Sequence, residues 1–347
     1  MTDERTSILA PAPRTEPLII PGRDAVPVTL LTGFLGAGKT TLLNRILNGD
    51  HGLRVGVLVN DFGAINIDAE LVAGVEENTI SLTNGCVCCE VRDDLVDSLE
   101  QLLTREEAVD YVILEASGVS DPEGIVMTFL NPRYEGLLRL DSITCIIDTI
   151  GIFADGDNER LNLLKLRQIA FADLVVLNKT DLVGPEHIEV IREWVDAQIH
   201  RVRIVEATQC DVPLEILLAA GRFSTADLPT PSTDADDDGG DSHHGHDGED
   251  RLFETWSYES DQPMSLDALR TMVQRELPVS VYRCKGIVFT ADAPGRRHAL
   301  QVVGRRTEIS DEGEWGDRAP RTQIVAIGTA IDADELNDKF NSCIEQH

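Results

Sequence analysis

The feature that most constrains the fold is a run of eight residues, Gly33-Phe34-Leu35-Gly36-Ala37-Gly38-Lys39-Thr40, which fits the pattern G-x-x-x-x-G-K-[ST]. Such a run works only where a strand delivers it and a helix carries it away. Its backbone N–H groups and the helix N-terminus then close around a phosphate. The flanking sequence meets that demand: Val28 to Thr32 is a short apolar, β-branched stretch, and Thr40 to Leu47 has helical spacing. Lys39 would neutralise β- and γ-phosphate charge and the Thr40 hydroxyl would ligate Mg²⁺, with Gly33, Gly36, Ala37, Gly38 and Thr41 completing the cradle.

The pattern continues as strand, helix, strand. Strands are expected at Arg54 to Asn60, Tyr111 to Glu115, Ser142 to Asp148, Leu174 to Asn178 and Arg203 to Ala207. Helices are expected at Arg92 to Leu103, Leu161 to Phe171 and Pro185 to Ile199. This predicts an α/β domain, the P-loop NTPase arrangement with a mostly parallel sheet. Its limits are 26–226, after an arm at 1–25 rich in Pro, Arg and acids. Residues 227–250 hold nine acids, three His and only two aliphatic residues, Leu228 and Ala235. Such a stretch buries too little apolar surface to offset its ordering entropy, so 227–251 is read as a linker. From 252 to 347 strands and helices resume in a different order, predicting a small α+β domain: strands at Phe253 to Tyr258, Val281 to Thr290, His298 to Val303 and Thr322 to Gly328, with helices at Ser265 to Glu276 and from Asp332.

Two further motifs lie at expected strand ends, where open α/β sheets bind ligands. Asn178-Lys179-Thr180-Asp181 places a carboxylate that can accept hydrogen bonds from guanine N1–H and its 2-amino group. Adenine offers no such pair, so the motif selects GTP over ATP. Glu115-Ala116-Ser117-Gly118 ends an apolar strand with an acid that could hold Mg²⁺ directly or through water, and Gly118 could bring an N–H near the γ-phosphate. Of only five lysines in the chain, two stand in these motifs, Lys39 and Lys179. A coincidental match to both is correspondingly improbable.

Net charge is -31, from 30 Lys plus Arg against 61 Asp plus Glu. A surface this acidic repels nucleic-acid backbones and anionic lipid. There is no apolar run long enough to span a bilayer and no secretory leader, so a cytoplasmic location is expected. In a reducing compartment clustered thiols bind metal or do chemistry rather than form disulfides. Three of the seven cysteines fall within four positions, Cys86, Cys88 and Cys89, between the phosphate loop and Glu115. In P-loop GTPases this interval responds to the γ-phosphate. A C-x-C-C set offers three soft ligands suited to Zn²⁺, Cu(I), Fe–S centres or Co²⁺, and leaves a coordination position open for transfer. Buried or redox-active thiols are the plainer alternative. His243, His244 and His246, interleaved with Asp in the linker, form a second candidate metal tract, against a solvated linker that happens to hold His.

In this order the four motifs, Gly33 to Thr40, Gly85 to Cys89, Glu115 to Gly118 and Asn178 to Asp181, resemble the CobW family of P-loop GTPases. The resemblance runs from about Val26 to the C-terminus. Asn60-Asp61-Phe62-Gly63 with Asp68 is similar to the family's first switch, and Tyr282-Arg283-Cys284-Lys285-Gly286 to the start of its C-terminal domain. The family implies slow GTP hydrolysis, with Lys39, Asp68 and Glu115 in catalytic roles. It also implies Zn²⁺ or Co²⁺ at the C-x-C-C thiols and delivery to a client metalloprotein or a metal-cofactor pathway such as cobalamin synthesis or nitrile hydratase activation. The C-terminal domain is expected either to hold the client or to mediate self-association. The rival readings are a metal store in which nucleotide is structural and a small-molecule kinase.

Overall fold

A computed structural model describes residues 25–60, 79–82, 103, 109–129, 136–154, 156, 158–218, 253–316 and 318–345. The expected helix at Arg92 to Leu103, the linker at 227–251 and the N-terminal arm lie outside these residues or nearly so.

The first unit is a seven-stranded sheet in the order β3-β2-β4-β1-β5-β6-β7. Its strands are β1 (Val26–Thr32), β2 (Val55–Asn60), β3 (Thr79–Leu82), β4 (Tyr111–Glu115), β5 (Leu138–Asp148), β6 (Leu174–Asn178) and β7 (Arg203–Ala207). Every pairing is parallel. The helices are α1 (Lys39–Asn48), α2 (Pro122–Phe129), α3 (Glu159–Ala170), α4 (Pro185–Gln198) and the single turn α5 (Leu214–Leu217). They cover both faces, which is why the central strands read as unbroken apolar runs rather than alternating ones. On one face Leu42, Leu43 and Ile46 of α1 are fully buried against Val57, Val176 and Val205. On the other, Ile169 of α3 and Ile191 and Val195 of α4 pack on Val175 and Leu177.

The second unit is a five-stranded antiparallel sheet, order β11-β10-β9-β12-β8. It comprises β8 (Glu254–Ser260), β9 (Val281–Phe289), β10 (Arg296–Val303), β11 (Arg306–Glu314) and β12 (Thr322–Gly328). Helices α6 (Leu266–Arg275) and α7 (Ala333–Asn341) bury Leu269, Met272, Leu336 and Phe340 against it. Ser265 and Asp332 cap these helices, each side chain accepting a backbone N–H from the first turn.

Five elements depart from the sequence reading, α5 among them because a single turn shows no period. Strand β5 begins at Leu138, four residues before the expected Ser142. Polar Arg139 and Asp141 mask its start; Asp141 is buried and paired as described below, and Arg139 is half-buried beside it. Helix α2 is too short to show a period. Strand β3, among the described strands, pairs with β2 alone and lies at the sheet edge. Strand β11, Arg-Thr-Glu-Ile-Ser-Asp-Glu-Gly-Glu, is polar because it too is an edge strand, paired among the described strands with β10 alone.

The two units meet at the N-terminal ends of the parallel strands. Arg283 of β9 is 3% exposed; its Nη2 donates to Asp141 Oδ2 at 3.3 Å and its Nη1 to the carbonyl of Ile216 at 3.2 Å. Tyr111 OH donates to the same carboxylate oxygen at 2.7 Å. Burial and the neighbouring Asp141 hold this phenol well above its ordinary pKa, so it stays a donor. Arg203 Nε donates to the carbonyl of Val281, and Arg306 Nε to Asp173 Oδ2 at 2.9 Å. Burial raises the Asp173 pKa despite Arg306, and lowers that of Arg203 to about 10. Charges this costly to desolvate add little net stability over apolar packing, but losing one partner strands the other.

Candidate functional site

Strand β1 lies between β4 and β5, so its C-terminal end is the point where chain connections diverge to both sides and a crevice opens. The phosphate loop sits there. Gly33 has φ +134°, and a Cβ on it would lie 2.2 Å from the carbonyl oxygen of Ile146. Gly38, at φ +111°, would bring a Cβ within 2.5 Å of Asn178 Nδ2 and 2.8 Å of Cys210 Sγ. Only glycine fits either place, which explains their spacing in the sequence. Lys39, 7% exposed, donates from Nζ to the carbonyls of Gly33 at 3.0 Å and Phe34 at 3.3 Å, holding its ammonium inside the loop. Thr41 is exposed beside it on α1.

Thr40 Oγ1 donates to Glu115 Oε1 at 3.0 Å, and Glu115 is 2% exposed. Cis ligands of an octahedral Mg²⁺ at about 2.0–2.1 Å stand about 2.9 Å apart. The hydroxyl and carboxylate oxygens have that separation, so this donor pair fits the ion. The extra methylene of Glu over Asp does not prevent it.

The Asn178–Asp181 turn is tied to the phosphate loop through Asn178, and Cys210 Sγ adds a bond to Gly38 O at 3.3 Å. Asn178 Nδ2 donates to Ala37 O at 2.9 Å, while its Oδ1 accepts the N–H of Cys210 at 2.8 Å. Lys179 follows with a left-handed backbone, φ 66°, and its Nζ pairs with Asp148 Oδ2 at 2.7 Å. Thr149 Oγ1 donates to Lys179 O at 2.9 Å. Asp181, in the 3-10 turn Thr180–Leu182, is exposed at the rim of the crevice.

Sequence reasoning missed several of these contributors. Asp148 and Thr149 close strand β5 at the same edge as the motifs, a positional signal that was available. The turn Thr208-Gln209-Cys210, with Gln209 at φ 51° and Cys210 at φ 56°, carries no residue pattern to flag it. Arg45 of α1 anchors this turn through Gln209 O and Asp211, both at 2.8 Å. Lys165 and Gln168 of α3 also reach the site. Lys165 Nζ donates to Gly151 O and Ile152 O at 3.0 and 2.8 Å and lies 4.8 Å from the Phe34 ring centroid. Asp68, Cys86, Cys88, Cys89, His243, His244 and His246 fall outside the described residues. Among the described residues no cluster of metal-ligating side chains occurs, and no helix is long and apolar enough to cross a membrane.

Residues 27–206 match the family described as CobW/HypB/UreG, nucleotide-binding domain, and residues 253–344 match the cobalamin synthesis protein cobW C-terminal domain. The chain belongs to the CobW/HypB/UreG family. A CobW relative from Sinorhizobium sp, named zinc chaperone CobW, is 31% identical over 335 residues, covering 87% of this chain and 92% of the relative. The Escherichia coli (strain K12) zinc chaperone YjiA is 29% identical over 325 residues, covering 91% and 98%. The zinc-regulated GTPase metalloprotein activator 1 of Dictyostelium discoideum is 29% identical over 331 residues, covering 85% and 69%. Among solved structures, Zn(II)-bound YjiA GTPase from E. coli aligns over 93% of this chain and 100% of its own at 24% identity, with a TM-score of 0.40. In CobW terms, the parallel sheet is the nucleotide-binding domain and the antiparallel sheet the C-terminal domain.

Proposed function

We propose that this CobW-family protein is a GTP-hydrolysing metallochaperone that takes up Zn²⁺ as cargo at Cys86, Cys88 and Cys89 and hands it to a client metalloprotein or cofactor pathway. The observation that carries the nucleotide half is the double hydrogen bond of Asn178, which joins the Asn178–Asp181 turn to the phosphate loop as one crevice. A guanine nucleotide is the ligand that needs both ends at once. Lys39 would leave the loop carbonyls for phosphate oxygens, and Asp181 would accept the two guanine donors. Thr40 and Glu115 would hold Mg²⁺, which when bound neutralises charge on the β- and γ-phosphates. Support for zinc over Co²⁺ comes from the thiol set and from relatives named zinc chaperones.

Asp148 holds the Lys179 stem beside the base position. Asp148→Asn removes that ion pair while keeping the acceptor for Ile150 N–H at 3.0 Å. The expected result is GDP binding weakened by about 5–10-fold with kcat little changed, read by titration and steady-state turnover.

The four described cysteines leave three of the seven for chemistry. Burial pushes the Cys145 and Cys284 thiols up to about 12 and Cys210 to about 11, and raises Cys343 as well. Thiols so perturbed are neutral near pH 7 and react slowly. Native protein is therefore expected to show three fast-reacting thiol equivalents, protected by one equivalent of Zn²⁺ and lost in a Cys86, Cys88, Cys89→Ser variant. Unchanged Zn²⁺ affinity in that variant would sink the cargo site. Chelator competition with and without a non-hydrolysable GTP analogue tests coupling. If GTP tightens the metal, the metal must tighten GTP by the same factor. Several ions per chain with no GTP turnover would instead mark a metal store.

A further inference from the structure

Gln168 is 1% exposed, yet it stands on α3 among helix positions facing the sheet. Its Nε2 donates to Gly118 O and to Ser120 O, each at 3.2 Å. Both protons of the amide are thus committed to the loop that follows β4.

That loop runs along the phosphate cradle from end to end. At its start Glu115 accepts from Thr40 on the first turn of α1. Further on, a Cβ on Gly118 would lie 2.7 Å from the backbone nitrogen of Leu35, so the loop touches the tip of the cradle. Within a trans peptide the C=O and the following N–H point in opposite directions. With the Gly118 carbonyl turned to α3, the N–H of Val119 is turned away from it, and Val119 is 38% exposed. A fixed backbone donor at the mouth of a phosphate-binding crevice stabilises anionic oxygen without having to reorganise.

We propose that Gln168 is a positioning residue that fixes the Gly118–Val119 peptide with its N–H toward the terminal phosphate of GTP, and so makes the protein tell GTP from GDP. This rests on the crevice being a guanine nucleotide site. The turn itself is closed by Ser120 N–H donating to Ser117 O at 2.9 Å, but without the glutamine amide its middle peptide loses the contact that fixes its orientation. GDP has no group at that position, and its binding is insensitive to the change.

The test uses the full chain with Mg²⁺ and a fluorescent GDP displaced by GDP or by a non-hydrolysable GTP analogue. Gln168→Met keeps length and burial but has no donor; Gln168→Glu turns an acceptor toward the two carbonyls. For both variants GDP affinity is expected within about twofold of wild type, while the GTP analogue weakens about tenfold or more, the worth of one hydrogen bond to a charged group. Turnover should fall in parallel with analogue binding. GDP binding doubles as the check that each variant is folded. Equal weakening of both nucleotides in the variants would reduce Gln168 to a packing role and overturn the proposal, as would an unchanged ratio. Should wild type bind neither guanine nucleotide, the site reading fails first, and that outcome is visible before any variant is made.

Discussion

Lys39→Ala is expected to lower GTP turnover by about 10²–10³-fold, the cost of removing one preorganised group that meets developing charge. The side chain is buried at 7% exposure, with Nζ 3.0 and 3.3 Å from two carbonyls of its own loop. Those contacts keep the ammonium in the cradle before any phosphate arrives, so little reorganisation is needed to exchange carbonyl oxygens for phosphate oxygens. The protein as a whole carries a charge of -31, which disfavours any polyanion, and this local cation is what offsets that field. Alanine is a good helix former at the first position of α1, so the fold is expected to persist. Phosphate release measured against GTP concentration, alongside circular dichroism, checks both statements. Turnover within threefold of wild type would remove Lys39 from the mechanism.

Arg283→Met should destabilise the protein by about 3–5 kcal/mol, the usual consequence of stranding one member of a buried pair. Asp141 has 1% side-chain exposure and Arg283 4%, so neither can turn to water when its partner is lost. Asp141 would keep Tyr111 at 2.7 Å and Arg139 at 3.7 Å, which is incomplete compensation. The double variant Asp141→Asn, Arg283→Met removes the stranded charge and is expected to recover much of the loss. Urea denaturation of the three proteins gives the comparison. A single variant as stable as wild type would show that Asp141 reaches solvent by another route.

The elements carrying glycine and lysine patterns were readable because backbone geometry dictates residue type. Gly33 and Gly38 have no substitute where they stand, and the strands that feed the motifs are apolar throughout because helices cover both faces. What could not be read is polarity turned inward. Lys165 and Gln168 look like the wet side of an amphipathic helix, yet they are 3% and 1% exposed because carbonyls of neighbouring loops receive them. Arg283 stands in a stretch whose resemblance to the family is visible, but its partner Asp141 lies far away in sequence at a strand start that its own polarity disguised. The edge strand β11 needed no apolar alternation and gave none. Periodicity reports what water leaves behind, and these residues are satisfied by protein rather than by water.

The C-terminal domain is docked at the end of the parallel strands opposite the phosphate loop. Five-residue strands rise about 3.3 Å per residue, so about 16 Å of sheet separates the two. Tyr282, with Phe253 and Ile327 beside it, joins the core cluster that also holds Ala37 and Cys210. Strands β4, β5 and β6 cross that distance, and so does the segment that follows β7. The segment from Gln209 to Leu217 is pinned to α1 by Arg45 at one end, and at the other the Ile216 carbonyl receives Arg283. Any displacement of α1 would therefore reach the C-terminal domain through this segment as well as through the strands.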